Sequence, residues 1–184
     1  MFPPRPAPTT TPTPRVTPTP DPDTSPTPPA GELAIVKRIT AVNGFRIRNY
    51  RDVFSDPNDD PTVAWPEGAS QFLEGAVDES VNPGDEVEFT LYFLANGSST
   101  NLSICDPLPE SVELSSDTIT VDIDGTRREL SLSSDSDAGS FSDSPSRALC
   151  PISGPFTNGV IVVDLTQLTD GNAAGAIRFR VRIR

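Results

Sequence analysis

Twelve of the chain's 21 prolines fall within its first 30 residues, and this segregation decides which part of the sequence can fold. Proline holds φ near about −65° and carries no backbone N–H, so a stretch where it recurs every two or three residues builds neither helix nor sheet ladder. Each proline also pushes the residue before it into extended conformations. The same 30 residues hold eight threonines and almost no apolar side chains beyond Met1, Phe2 and Val16, too few to bury a core. Residues 1–30 therefore read as a stiff polyproline-II arm, advancing about 3.1 Å per residue and reaching on the order of 90 Å. Phe2, Pro3, Pro4 and Val16 are its candidate contacts to a partner. Thr-Pro tracts resemble O-glycosylated stalks, which makes Thr9, Thr10, Thr11, Thr13, Thr17, Thr19 and Thr27 candidate carriers of covalent glycan. A solvated, disordered spacer is the other reading of the arm.

Residues 31–184 suit one domain, since a chain of this size buries roughly 70% of its unfolded surface. Leu33-Ala34-Ile35-Val36-Lys37-Arg38-Ile39 is a β-branched run that ends at the turn pair Asn43-Gly44. After the turn Asn82-Pro83-Gly84-Asp85, the residues Val87, Phe89, Leu91 and Phe93 alternate with Glu86, Glu88, Thr90 and Tyr92, the period of a half-buried strand. Ala95-Asn96-Gly97-Ser98 reads as a hairpin turn into Leu102-Ser103-Ile104. Further strands are expected at 119–123, 129–132 and 160–163, with loops at 49–68 and 133–146. The chain closes with Ile177, Phe179, Val181 and Ile183 alternating with Arg178, Arg180, Arg182 and Arg184. Short strands, frequent turns and little helical periodicity predict an all-β sandwich.

The net charge of −12 is unevenly spread. Residues 51–145 carry 21 acids against three arginines, whereas 31–50 and 146–184 are each positive by three. An acidic body argues against phosphate-driven nucleic-acid binding and against anionic membrane surfaces. No apolar run is long enough to span a membrane. Cys105 and Cys150, the only cysteines, read as one disulfide made in an oxidising compartment, or else as two buried thiols. Met1-Phe2 runs straight into prolines with no signal peptide, which fits a processed, secreted chain and also a cytosolic one.

One stretch resembles a known family. Asn82-Pro83-Gly84-Asp85-Glu86-Val87-Glu88-Phe89-Thr90-Leu91-Tyr92-Phe93, followed by Asn101-Leu102-Ser103-Ile104-Cys105-Asp106-Pro107-Leu108-Pro109, resembles the bacterial surface repeat known as domain-of-unknown-function eleven. Val36 to Gly44 and the closing Ile177-Arg178-Phe179-Arg180 are similar to its cyanobacterial-type members. The resemblance implies an immunoglobulin-like β-sandwich in an envelope or secreted protein, with no activity attached.

Residues that could carry chemistry are few. There is no histidine, so the commonest general base and metal ligand is missing, and no nucleophile elbow or phosphate loop appears. No enzyme activity is expected. Asp56, Asn58 and Asp60, with Glu67 at the twelfth position, have the spacing of a Ca²⁺ loop. Pro61 occupies the sixth position, where such a loop needs glycine, so these are candidate ligands of an irregular Ca²⁺ site or members of a solvated acidic loop. Lys37 is the only lysine and lies on the first strand. An amide cross-link from it to the last strand needs an Asn or Asp there, and residues 176–184 hold neither. Arg178, Arg180, Arg182 and Arg184 form a solvated face balanced by acids such as Glu86 and Glu88, or a docking face for an acidic neighbour or for glycan. The sequence thus points to a structural subunit of an extracellular filament or surface layer, assembling with copies of itself through the arm. A carbohydrate-binding or adhesin module on a stalk is the competing expectation.

Overall fold

The computed structural model describes residues 32–48, 50–51, 76–77, 80–96, 102–133, 137–143, 150, 156–169 and 173–184. The arm positions Phe2, Pro3, Pro4, Val16 and the seven threonines lie outside the described residues, as do Asp56, Asn58 and Asp60.

Three eleven-residue strands form the centre: β1 (Glu32–Val42), β5 (Glu86–Asn96) and β12 (Ala173–Ile183). Around them lie β2 (Phe45–Arg46), β7 (Val112–Leu114), β8 (Thr118–Ile123) and β9 (Thr126–Ser131). These seven make one antiparallel sheet in the order β2-β1-β5-β12-β8-β9, with β7 also on β12. A second sheet runs β10 (Gly139–Ser142), β11 (Val160–Asp164), β6 (Ser103–Pro107). β3 (Tyr50–Arg51) and β4 (Ala76–Val77) pair apart from both. Helical structure among the described residues is a single 3₁₀ turn, Leu165–Gln167, capped by Asp164. The all-β sandwich expected from the alternation is what forms.

The alternation also sets the layers. Val87, Leu91 and Phe93 of β5 meet Ile177, Phe179 and Val181 of β12 on the inner face, facing Ile104, Ile161 and Val163 of the second sheet. Burying each such side chain stabilises the fold by roughly 1.5–3 kcal/mol before the entropy cost of ordering it. Asn43-Gly44 and Asp124-Gly125 close two-residue hairpins with all four φ angles positive, the turn geometry that matches strand twist. Gly175 has a different reason to be glycine. A Cβ there would run into the Asp122 carbonyl oxygen and the Phe93 ring, so the backbones close up only without a side chain.

Two expectations need correcting. The segment after β5 does not fold back as a hairpin: β6 pairs with β11, so the chain changes sheets between them. Period-two alternation continues through a sheet change as readily as through a hairpin, which is why the pattern was mute on this point. The expected loop 133–146 contains β10, a four-residue strand too short and too rich in serine to register as one.

Candidate functional site

β6 is held from both of its faces. Ile104, Asp106 and Leu108 point to the sandwich interior, and Cys105 points away from it. On the outer side Cys105 is bonded to Cys150, with Cα atoms 5.9 Å apart, beside Val160, Val162 and Phe156. Of the two readings of these cysteines, the structure takes the disulfide.

On the inner side Asp106 meets Lys37. The register sets Lys37 opposite Leu91, so it points inward in line with Leu33, Ile35 and Ile39. Its Nζ donates to Asp106 Oδ1 at 2.8 Å and Oδ2 at 2.7 Å, joining the two sheets. The same nitrogen lies 4.4 Å from the ring centre of Phe89 and 5.4 Å from that of Phe179, and the two rings are 5.6 Å apart. The side chains of Lys37 and Asp106 are 29% and 11% exposed. Burial pushes the Asp106 carboxyl above its usual range, and the Lys37 charge and hydrogen bond pull it back in part. The sequence carried a signal for this pair. Each residue is a charge occupying an apolar position of an alternating stripe, Leu33-x-Ile35-x-Lys37-x-Ile39 and Ile104-x-Asp106-x-Leu108.

The outer face of the seven-stranded sheet is polar. Thr40, the extra residue of a β-bulge between Ile39 and Ala41, lies on this face, where its Oγ1 is 2.8 Å from Thr90 Oγ1 and its hydroxyl reaches Glu88 Oε1 at 3.1 Å as donor. Arg180 reaches Glu88 at 3.5 Å and Glu86 at 3.8 Å. Arg184 pairs with Glu113 at 3.6 Å and donates to Asn158 Oδ1 at 3.0 Å. For these two arginines the solvated, acid-balanced face is what the structure shows. Arg178 differs: it is half-buried between Thr90 and Thr120 and, among the described residues, makes no hydrogen bond or ion pair. Arg127 beside it has none among the described residues either, and Arg182 faces Glu86 and Glu113 across the sheet without bonding them. Two adjoining hollows of about 390 and 260 Å³ share Glu88, Arg127, Arg178 and Arg180, forming one trough. Phe45, 80% exposed at the β1–β2 hairpin, stands close to its Gly44–Arg46 end.

Asp85 closes one end of the sheet. It accepts from Asn43 Nδ2 at 2.8 Å and from the Asn82 backbone N–H at 2.7 Å, and these donors hold its carboxyl below the usual range. Among the described residues no three His, Cys, Asp or Glu side chains gather as a metal site, and no helix is long and apolar enough to cross a membrane.

No family model and no curated protein sequence matches this chain. Among solved structures it is similar to the pilus backbone RrgB of Streptococcus pneumoniae, with TM-score 0.43 and 10% identity over 83% of this chain and 46% of that one. The full-length major pilin RrgB is similar at TM-score 0.42 and 10% identity, again over 83% of this chain but 20% of the pilin. The collagen-binding domain of the Erysipelothrix rhusiopathiae surface protein RspB follows at 0.31 and 12%, covering 54% of this chain and 29% of that chain. This chain thus spans less than half the length of each, and likenesses so distant carry no functional argument.

Proposed function

We propose that this protein is a structural subunit of an extracellular bacterial assembly, a filament or surface layer built from copies of itself. The Arg178–Arg127 trough carries this reading. Among the described residues the half-buried Arg178 guanidinium makes no hydrogen bond or ion pair, so a carboxylate entering from outside would gain a charge-assisted hydrogen bond there, in competition with Glu86, Glu88, Asp122 and Glu129 that line the trough. The acidic part of the same chain supplies such groups: Asp52, Asp56, Asp59, Asp60 and Glu67 fall within sixteen residues. A face on one copy that takes a different segment of the next is a heterologous contact, and such contacts propagate when the rotation does not close. The 1–30 arm, glycosylated on its threonines, is the second connector, lying along a neighbour. The Cys105–Cys150 disulfide supports an oxidising compartment and so a secreted or cell-surface location.

Phe45 favours the adhesin alternative, because an exposed aromatic beside a polar trough also suits a carbohydrate ring. Electron microscopy and light scattering separate the two. Deleting residues 1–30, or making Arg178→Glu, abolishes polymer while leaving the sandwich folded by circular dichroism, and raised salt weakens assembly of the parent chain. Protein that stays monodisperse at high concentration, or polymer unaffected by both changes, overturns the assembly reading.

A further inference from the structure

A hollow of about 610 Å³, separate from the arginine trough, opens where the link from β7 to β8 passes β10. Leu114, Leu132 and Phe141 form its apolar walls, with Ser115 and Asp117 beside them. Phe141 is 37% exposed, and only Phe45 matches it as an exposed large apolar side chain among the described residues. The Phe141 ring lies so close over Gly159 that a Cβ there would strike it, so the bare glycine seats the ring. The Ser115 Oγ is buried with no hydrogen-bond partner among the described residues, and Asp117 pairs with no cation among them.

These features suit a polyproline-II segment. Its pyrrolidine rings stack on aromatic walls, and its carbonyls, unpaired within the segment, accept hydrogen bonds from outside. Turning the Ser115 hydroxyl to such a carbonyl breaks no existing bond. A segment that is stiff before it docks also loses little entropy on binding. Within residues 1–30, Phe2-Pro3-Pro4-Arg5-Pro6-Ala7-Pro8 fits best. It has no threonine to carry a glycan, and its one charged side chain, Arg5, is opposite in sign to Asp117. We infer, resting on the assembly reading, that this hollow receives the Phe2–Pro8 segment of another copy's arm.

The topology favours another copy over the same one. Leu33, next to the start of β1 where the arm joins, and Ala173 both pair with Ala95, at one end of the large sheet. Val42 and Val181 both pair with Val87 at the other end, and Leu114 pairs with Val181 there. Eleven-residue strands put the two ends about 35 Å apart. Residues 9–30 span on the order of 70 Å as polyproline II. A stiff segment rooted at one end of a bead reaches the far end of a further copy without the reversal that docking on its own bead requires. With root and seat at opposite ends, the contact is head-to-tail and propagates.

A dye-labelled, unglycosylated synthetic peptide of residues 1–12 is the probe, titrated against the dilute full chain by fluorescence anisotropy. The expected result is saturable binding that Phe141→Ala weakens about tenfold. Arg5→Glu in the peptide weakens it about threefold. Ser115→Ala also weakens it about threefold, yet leaves the urea midpoint of the free chain unchanged or higher, because it removes an unsatisfied hydroxyl. Phe45→Ala leaves the affinity unchanged. Absence of saturable binding, or binding that Phe141→Ala leaves intact, overturns the inference. Where Phe141→Ala fails to fold, Ser115→Ala decides by the same measure. Light scattering on the same full chain keeps the two proposals apart. Polymer without peptide binding overturns this seat and leaves the assembly reading standing. Peptide binding without polymer at any concentration supports the seat and overturns the assembly reading.

Discussion

On the inner face of the seven-stranded sheet one ammonium sits among Phe89, Phe179 and Leu91, and both oxygens of Asp106 hold it. On the outer face Arg180 shares Glu86 and Glu88 with open solvent, while Arg178 and Arg127 bond no other described residue. The difference follows from what water can do in each place. Inside, a charge without a partner is costly, so the fold brings a carboxyl across from the other sheet. Outside, water and salt screen the arginines, so their pairing is optional and the free ones remain available to a neighbour. The inner charge therefore belongs to stability and the outer ones to recognition.

The largest effect expected of this contrast is at the inner pair. Lys37→Ala leaves Asp106 buried and unpaired, and denaturant unfolding should show a loss of about 3 kcal/mol. Lys37→Met with Asp106→Leu removes both charges at similar volume and should return stability to within about 1 kcal/mol of the parent ion pair. A double variant as unstable as Lys37→Ala would mean that the charges themselves, rather than their mutual satisfaction, hold the sheets together.

Acid titration gives a second, smaller effect, because the two perturbed carboxylates act with opposite sign. Asp85 has its pKa lowered below 3.8 by Asn43 and the Asn82 N–H, so the stability it contributes is present above 3.8 and disappears as the pH falls through its folded value. Asp106 has its pKa raised above 3.8 by burial, so its contribution is present below 3.8 and is lost as the pH rises through its folded value. Asp85→Asn should flatten the acid limb of the stability curve, and Asp106→Asn should steepen it, both read from urea midpoints across the acid range.

The smallest change is predicted outside. Arg178→Ala should shift unfolding by no more than about 0.5 kcal/mol, since it breaks no bond, even though Arg178→Glu is expected to abolish assembly. A large loss of stability in Arg178→Ala would move this arginine from the recognition face to the list of structural residues.

Local chemistry alone was enough to determine several features of this protein. Alternation along Val87–Phe93 and Ile177–Ile183 assigned inner and outer faces, because a strand's side-chain period is two wherever it pairs. Asn43-Gly44 determined a turn, because few other residue pairs accept positive φ twice in succession. The first 30 residues were excluded from any core by proline itself. Tertiary structure decided what depends on how strands are arranged: that β6 leaves the sheet of β5, that Lys37 on β1 meets Asp106 rather than the last strand, and that Arg180 finds glutamates while Arg178 does not. Sequence carries the periodicity of each strand but not its neighbours, and charge pairing across sheets depends on neighbours. A lysine standing in an apolar stripe announces that a partner must exist, and only the packing of one sheet on the other decides which carboxyl it is.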